Sequence, residues 1–339
     1  MNTFYYYFRP LAIVGKIFGS FPIENAFSLN PEKLVYKRLS FSFIYSFSVQ
    51  YALLVLIGFF SGFEFQDNTL TLKVLKYVVF FMIGRSLISF TYSLFMQAKR
   101  MPRLIQLLDS FDEKKQYQLV QGNAWGAWKK VSVTIVLPML FFLHFSVLYA
   151  WASRDLIKEI FPPSHSTKGF LLTAADYFGI LTCWHILPSL YYIIFSTTIS
   201  RGYRQINKTL ISSRCFGDYY NIGAQVKFDS CMDQVIVDLR ILHNMLSEAT
   251  VQLSKCYGSF LAIEKIFICV AVVVNISCYI FEAHHFTHLI TLTSLNVIVA
   301  IITVRVSEQL KRRVSIFNGK LMVYIPIYFD SPNIQELDH

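Results

Sequence analysis

The sequence predicts an all-α fold: a polytopic helical membrane protein with six spans, a cytosolic N-terminus and helices that project below the membrane. Three observations carry this reading. The 339 residues are 54% hydrophobic and 15% charged, whereas soluble domains hold about 25% charged residues. The apolar residues gather in runs long enough to cross about 30 Å of hydrocarbon. Lys and Arg collect on one side of those runs, which fixes orientation.

Residues 1–38 form a cytosolic segment without the compact apolar core and small-residue cleavage site of a removable signal peptide. The first span, 39–60, reads LSFSFIYSFSVQYALLVLIGFF and follows Lys33, Lys37 and Arg38. A short acidic loop leads to the second span, 77–96, with Arg85 near its middle. Residues 97–130 are polar and basic and contain an amphipathic helix carrying Leu104, Leu107, Leu108 and Phe111. The third span is 131–151. The fourth, 170–200, is longer than a bilayer requires, so its end projects into the cytosol.

A linker, 201–234, then leads to the stretch around which the chain is organised. Val235, Leu239, Leu242, Leu246, Ala249, Leu253 and Cys256 draw one apolar stripe along a helix. From Ile266 to Phe281 the pattern becomes IFICVAVVVNISCYIF, without a charge, and only Glu264 and Lys265 mark the transition. A helix that leaves the bilayer and continues into water is a mechanical connection. Its stripe is narrow for a helix lying flat on lipid and suits packing against other helices. Val235, Leu239, Leu242, Leu246 and Leu253 are therefore expected to form a bundle or subunit contact just below the membrane. A sixth span, 286–304, completes a transmembrane domain of 39–305, with cytosolic anchor helices near 97–130 and 200–256 and a tail at 306–339.

With the N-terminus inside, the cytosolic segments hold 24 Lys and Arg and the opposite side holds 5. This distribution explains the net charge of +10 without nucleic acid. The six cysteines lie in spans or cytosolic segments, with no disulfide or metal spacing, and are expected to be free thiols. No cofactor is implied.

Four stretches resemble the insect gustatory receptor family, in particular its sugar-receptor branch. They are FRPLAIVGKIFGSFPIENAF (8–27), LVYKRLSFSFIYS (34–46), ISRGYRQINKTL (199–210) and LRILHNMLSEATVQLSKCYGSFLAI (239–263). The resemblance covers residues 8 to about 305. It implies seven spans, a ligand-gated cation channel of four subunits, as a homo- or heterotetramer, and helices below the membrane that hold the subunits together. It also implies a place in the plasma membrane of chemosensory neurons and a sugar as tastant. The family's last span lines the pore and carries a Thr-Tyr, five apolar residues, then Gln-Phe signature. After Val306 this sequence instead reads SEQLKRRVSIFNGKLMVYIPIYFDSPNIQELDH, whose only apolar run, 321–329, is nine residues with Pro326 inside. The expectation is a subunit that inserts and assembles but does not conduct alone.

A sugar pocket needs aromatic faces and a few polar groups in a cavity closed to lipid. Arg85, Trp151, Asp176, Tyr177, Trp184 and His185 are the candidates. A charge at membrane depth costs about 2.5–3.5 kcal/mol and normally faces a cavity or a partner, so Arg85 and Asp176 either line the pocket or pair with each other. Trp151 and Tyr177 also suit the aromatic belt of a span. His284, His285 and His288 form an HHxxH cluster without the companion clusters a membrane metalloenzyme requires, and read as polar loop residues. No nucleophile elbow, phosphate loop or dinucleotide fingerprint is present, so the chain is not expected to be an enzyme. The competing readings are a non-channel heptahelical receptor, a transporter and a regulatory subunit. The first would place the N-terminus outside, and the second would show internal repeats.

Overall fold

The computed structural model describes residues 3–61, 84–118, 186–217, 225–281 and 297–316, with single positions 81, 147 and 294. Its elements are α1 (Phe4–Ile17), α2 (Phe41–Ser61), α3 (Ala98–Gln118), α4 (Ile186–Gly217), α5 (Gln225–Phe281) and a helix at 297–316, here α6. Residues 84–92 are also helical and run through a π-helical turn, Ser93–Gln97, into α3. No strand occurs among the described residues; a single bridge joins Glu24 and Val35.

The segment 1–38 contains a helix that the sequence reading left out. Phe4, Phe8, Leu11 and Ala12 recur at helical spacing and are buried, so α1 is a core element rather than a loose terminus. Phe8 meets Phe195 at 5.0 Å and Tyr191 at 5.7 Å, which seats α1 on α4. Gly19 follows α1 at φ 72°, a left-handed conformation open to glycine, and turns the chain back so that Ser20 N–H reaches the Gly15 carbonyl at 2.8 Å. Asn30 caps the short turn Pro31–Lys33 through Glu32 N–H at 2.8 Å, and Ser40 caps α2 through Phe43 N–H at 3.1 Å.

α3, α4 and α5 form the central bundle. The helical segment 84–92, continuing through the π-helical turn into α3, runs antiparallel to α5. Phe81 meets Phe267 at 5.0 Å, Tyr92 meets Phe260 at 5.9 Å, Arg100 donates to the Lys255 carbonyl, and Arg103 pairs with Glu248 at 2.9 Å. The amphipathic helix expected around Leu104, Leu107, Leu108 and Phe111 is present, and all four side chains are buried. On α4, Gly202 leaves room for Leu246 and Phe111: a Cβ there would lie 2.9 Å and 3.1 Å from their side chains.

One correction concerns α4. The expected linker 201–234 is helical over 201–217 and again from Gln225, because Tyr203 and Ile206 continue the apolar face of α4 into the core. The stripe of α5 faces inward. Leu239, Leu242, Leu246 and Leu253 are buried in this chain's own bundle, the last three at 2% exposure or less. Their partners are α3 and α4, whose stripes complement theirs, as the bundle alternative of the expected contact requires. Val235 lies within the same helix.

α5 is 57 residues long, about 86 Å at 1.5 Å per residue. It includes a segment, Val237–Val273, apolar and long enough to cross a membrane. Toward its C-terminus Ile266, Val270, Val273 and Ile276 are exposed. Apolar side chains are thus turned outward along one end of a helix whose other end is packed into a core, the pattern expected of a helix entering lipid.

Candidate functional site

The bundle brings one base and one acid together out of water. Arg85 and Ser89 stand one turn apart on the segment 84–92, and Glu264 faces them from α5. Arg85 Nε donates to Glu264 Oε2 at 2.9 Å, and Arg85 Nη2 donates to the same oxygen. Ser89 Oγ donates to Oε1 at 2.7 Å. Arg85 and Glu264 are each 5% exposed. Both carboxylate oxygens are therefore satisfied, the condition under which a buried ion pair offsets its desolvation.

Beside the pair lies a cavity of about 20 Å³ between α4, α5 and α6, with Ser189, Leu261, Lys265, Val299 and Thr303 on its walls. A water needs about 10–15 Å³ and a drug-sized ligand about 300–1,000 Å³, so this cavity admits a water and excludes a sugar. Thr303 Oγ is turned to its own helix, donating to the Val299 carbonyl at 2.8 Å. One turn on, the hydroxyls of Ser307 and Tyr192 lie 2.6 Å apart and tie α6 to α4. The arrangement fastens four helical segments at one level. No group of three or more metal-ligating side chains occurs among the described residues.

Arg85 thus has a partner that the sequence reading did not assign. The signal was available: Glu264 is the acid at the edge of an uncharged run, and Arg85 is a base inside another. Asp176 offered the same chemistry, and spacing does not choose between two carboxylates on different spans. Trp151, Asp176, Tyr177, Trp184 and His185 lie outside the described residues, as do His284, His285 and His288, most of the third span and the tail beyond residue 316. Of the cysteines, Cys256 and Cys269 are free thiols.

An all-helical bundle with one helix long and apolar enough to cross a membrane is consistent with a helical membrane protein. Residues 8–314 match the family model described as 7tm Chemosensory receptor, and the chain belongs to that family. It is accordingly a membrane-located chemoreceptor, in a family that is generally non-enzymatic. Among curated proteins none matches the chain.

Proposed function

We propose that this chain is a gustatory receptor subunit of the sugar-receptor branch. In this reading it belongs to a cation channel that opens on binding a sugar-like tastant and works as a homo- or heterotetramer. It resides in the plasma membrane of chemosensory neurons, crosses it several times and keeps its N-terminus in the cytosol. The observation that carries the reading is the block 8–27. It is the stretch most specific to the gustatory receptors, and α1 with its following turn places Phe8, Leu11, Ala12, Phe21, Ile23 and Ala26 in the core. The one-sided charge supports the orientation. The tastant is assigned to the aromatic and polar groups Trp151, Asp176, Tyr177, Trp184 and His185. Arg85 acts at the ion pair, because the cavity there has no room for a sugar.

The test is calcium imaging of cells expressing this chain, alone and together with a full-length sugar receptor, during application of mono- and disaccharides. A sugar-evoked calcium rise that needs this chain and falls in Asp176→Asn supports the reading. Responses identical with and without the chain across the sugar panel overturn it. Antibody staining of an N-terminal epitope only after permeabilisation is the expected orientation result, and staining of intact cells overturns the topology.

A further inference from the structure

We propose that the face formed by the end of α1, the turn 24–38 and the start of α2 is a binding surface for anionic phospholipid headgroups of the cytosolic leaflet. The proposal rests on the membrane reading above and adds a lipid chemistry to it.

This face combines two features that oppose each other in water. Leu39 is 90% exposed and Phe41 82% exposed, with Leu29, Ile17 and Phe27 each above half. Lys33, Lys37 and Arg38 are exposed among them. Soluble surfaces do not gather so many large apolar side chains around a basic cluster, whereas the boundary between hydrocarbon and phosphate does. The apolar side chains enter the leaflet and the cations meet phosphate.

The pieces are held as one unit. Tyr45 on α2 donates its hydroxyl to the Ile17 carbonyl at 2.6 Å. Glu24 N–H reaches the Val35 carbonyl at 2.9 Å, and Asn25 donates its side-chain amide to the Lys33 carbonyl at 2.9 Å. Arg9 donates to the Phe27 carbonyl at 2.6 Å, and the Lys16 ammonium lies 5.3 Å from the Phe27 ring. The Lys33 and Lys37 side chains are thus presented on a braced turn. Lys37 contacts the partly buried carboxylate of Glu24 at 3.7 Å, and Glu32 is the other acid nearby. Lys33, Lys37 and Arg38 outnumber these two, so the turn is net positive.

The position selects lipid over a protein partner. The 21 residues of α2 carry no charge, and Ile44, Phe47, Tyr51 and Val55 continue the exposed apolar surface upward from Phe41. The basic turn therefore sits at the foot of a helix that itself faces hydrocarbon. Each Lys or Arg beside an anionic surface strengthens binding by about fivefold, so three act together on the order of a hundredfold.

The experiment is native mass spectrometry of the purified full-length chain in neutral detergent, titrated with phosphatidylserine or phosphatidylcholine. The wild type is expected to retain phosphatidylserine in preference to phosphatidylcholine. The triple variant Lys33→Ala, Lys37→Ala, Arg38→Ala is expected to lose that preference and to retain the two lipids equally. The variant Lys33→Arg, Lys37→Arg, Arg38→Lys keeps charge and is expected to keep binding, which separates charge from folding. A control, Arg103→Ala with Lys114→Ala on α3, is expected to behave as wild type. Equal retention of the two lipids by the wild type, or undiminished phosphatidylserine binding in the triple variant, overturns the proposal. Carbonate extraction separates this failure from a failure of the membrane reading: a chain stripped from membranes overturns both, and one that stays inserted without lipid preference overturns only the lipid surface.

Discussion

The carboxylate of Asp109 accepts a 2.8 Å hydrogen bond from the backbone N–H of Tyr5, so a side chain on α3 caps a helix 104 residues away. Thr3 stands at the N-cap of α1 without making a side-chain bond, and the first turn of any helix leaves its N–H groups unpaired. Asp109 meets one of them and places negative charge at the positive end of the helix dipole. Asp109→Ala is expected to lower stability by about 1–2 kcal/mol. Asp109→Asn keeps an acceptor and loses only the charge, about 0.5 kcal/mol. Thermal unfolding in detergent checks both, and an alanine variant that melts with the wild type removes the capping role.

Tyr5 also ties α1 to the following turn, its hydroxyl donating to the Ala26 carbonyl at 3.0 Å. Burial, more than offsetting Arg9 and assisted by Asp109, pushes its hydroxyl up to about 12 from an ordinary 10. The folded state thus favours the neutral phenol. That contribution is fully present below about pH 10 and is lost as pH rises toward 12. Tyr5→Phe is expected to reduce stability by about 1 kcal/mol near neutrality and to decline less steeply between about pH 10 and 12. Parallel loss of stability in both proteins across that window counts against the assignment.

Where one periodicity held over many residues, the sequence was informative. The stripe from Leu239 to Cys256 and the helix carrying Leu104 to Phe111 each predict an element that is present. The pattern was less informative about partners. An apolar stripe states that a helix packs, not whether the other surface comes from the same chain, and here α3 and α4 supply it. α1 is legible in the same terms, because Phe4, Phe8, Leu11 and Ala12 carry helical spacing and are buried, but its stripe is short beside the family likeness of the block 8–27. Glu264 was missed as a partner because its neighbour Lys265 made the pair look like an interface marker. Glu264 turns inward to Arg85, while Lys265 is exposed.

The inward stripe gives an outcome that separates a core from a subunit contact. Leu246 is fully buried, and Leu246→Ala is expected to cost about 2–5 kcal/mol. Leu242→Asp places an unpaired charge in the same core and is expected to abolish folding. Val251→Asp on an exposed face of the same helix is expected to stay within about 0.5 kcal/mol of wild type. Size-exclusion profiles of fluorescent fusions read all three. If Leu242→Asp instead yields a well-folded smaller species, the stripe serves assembly rather than the core.

The ion pair permits the sharpest energetic test. Removing one partner leaves the other charge buried without compensation, which costs about 3–5 kcal/mol. Glu264→Ala and Arg85→Ala are each expected to lose that much thermal stability, the first also orphaning the Ser89 hydroxyl. Glu264→Gln keeps an acceptor for Ser89 but not the charge, and is expected to fall between Glu264→Ala and wild type. The double variant Arg85→Met with Glu264→Leu removes both charges while filling space, and replacements of this kind are often neutral or stabilising. It is expected to recover most of the loss, leaving the double variant far more stable than the sum of the two single losses would predict. The same double variant separates stability from signalling. If the pair only fastens the helices, the recovered protein, under the proposed sugar-receptor function, responds as the wild type does. If the pair must part when the receptor opens, the recovered protein is stable but its dose-response curve is shifted. Strictly additive losses at the two positions show that Arg85 and Glu264 act independently, contrary to the bonds between them.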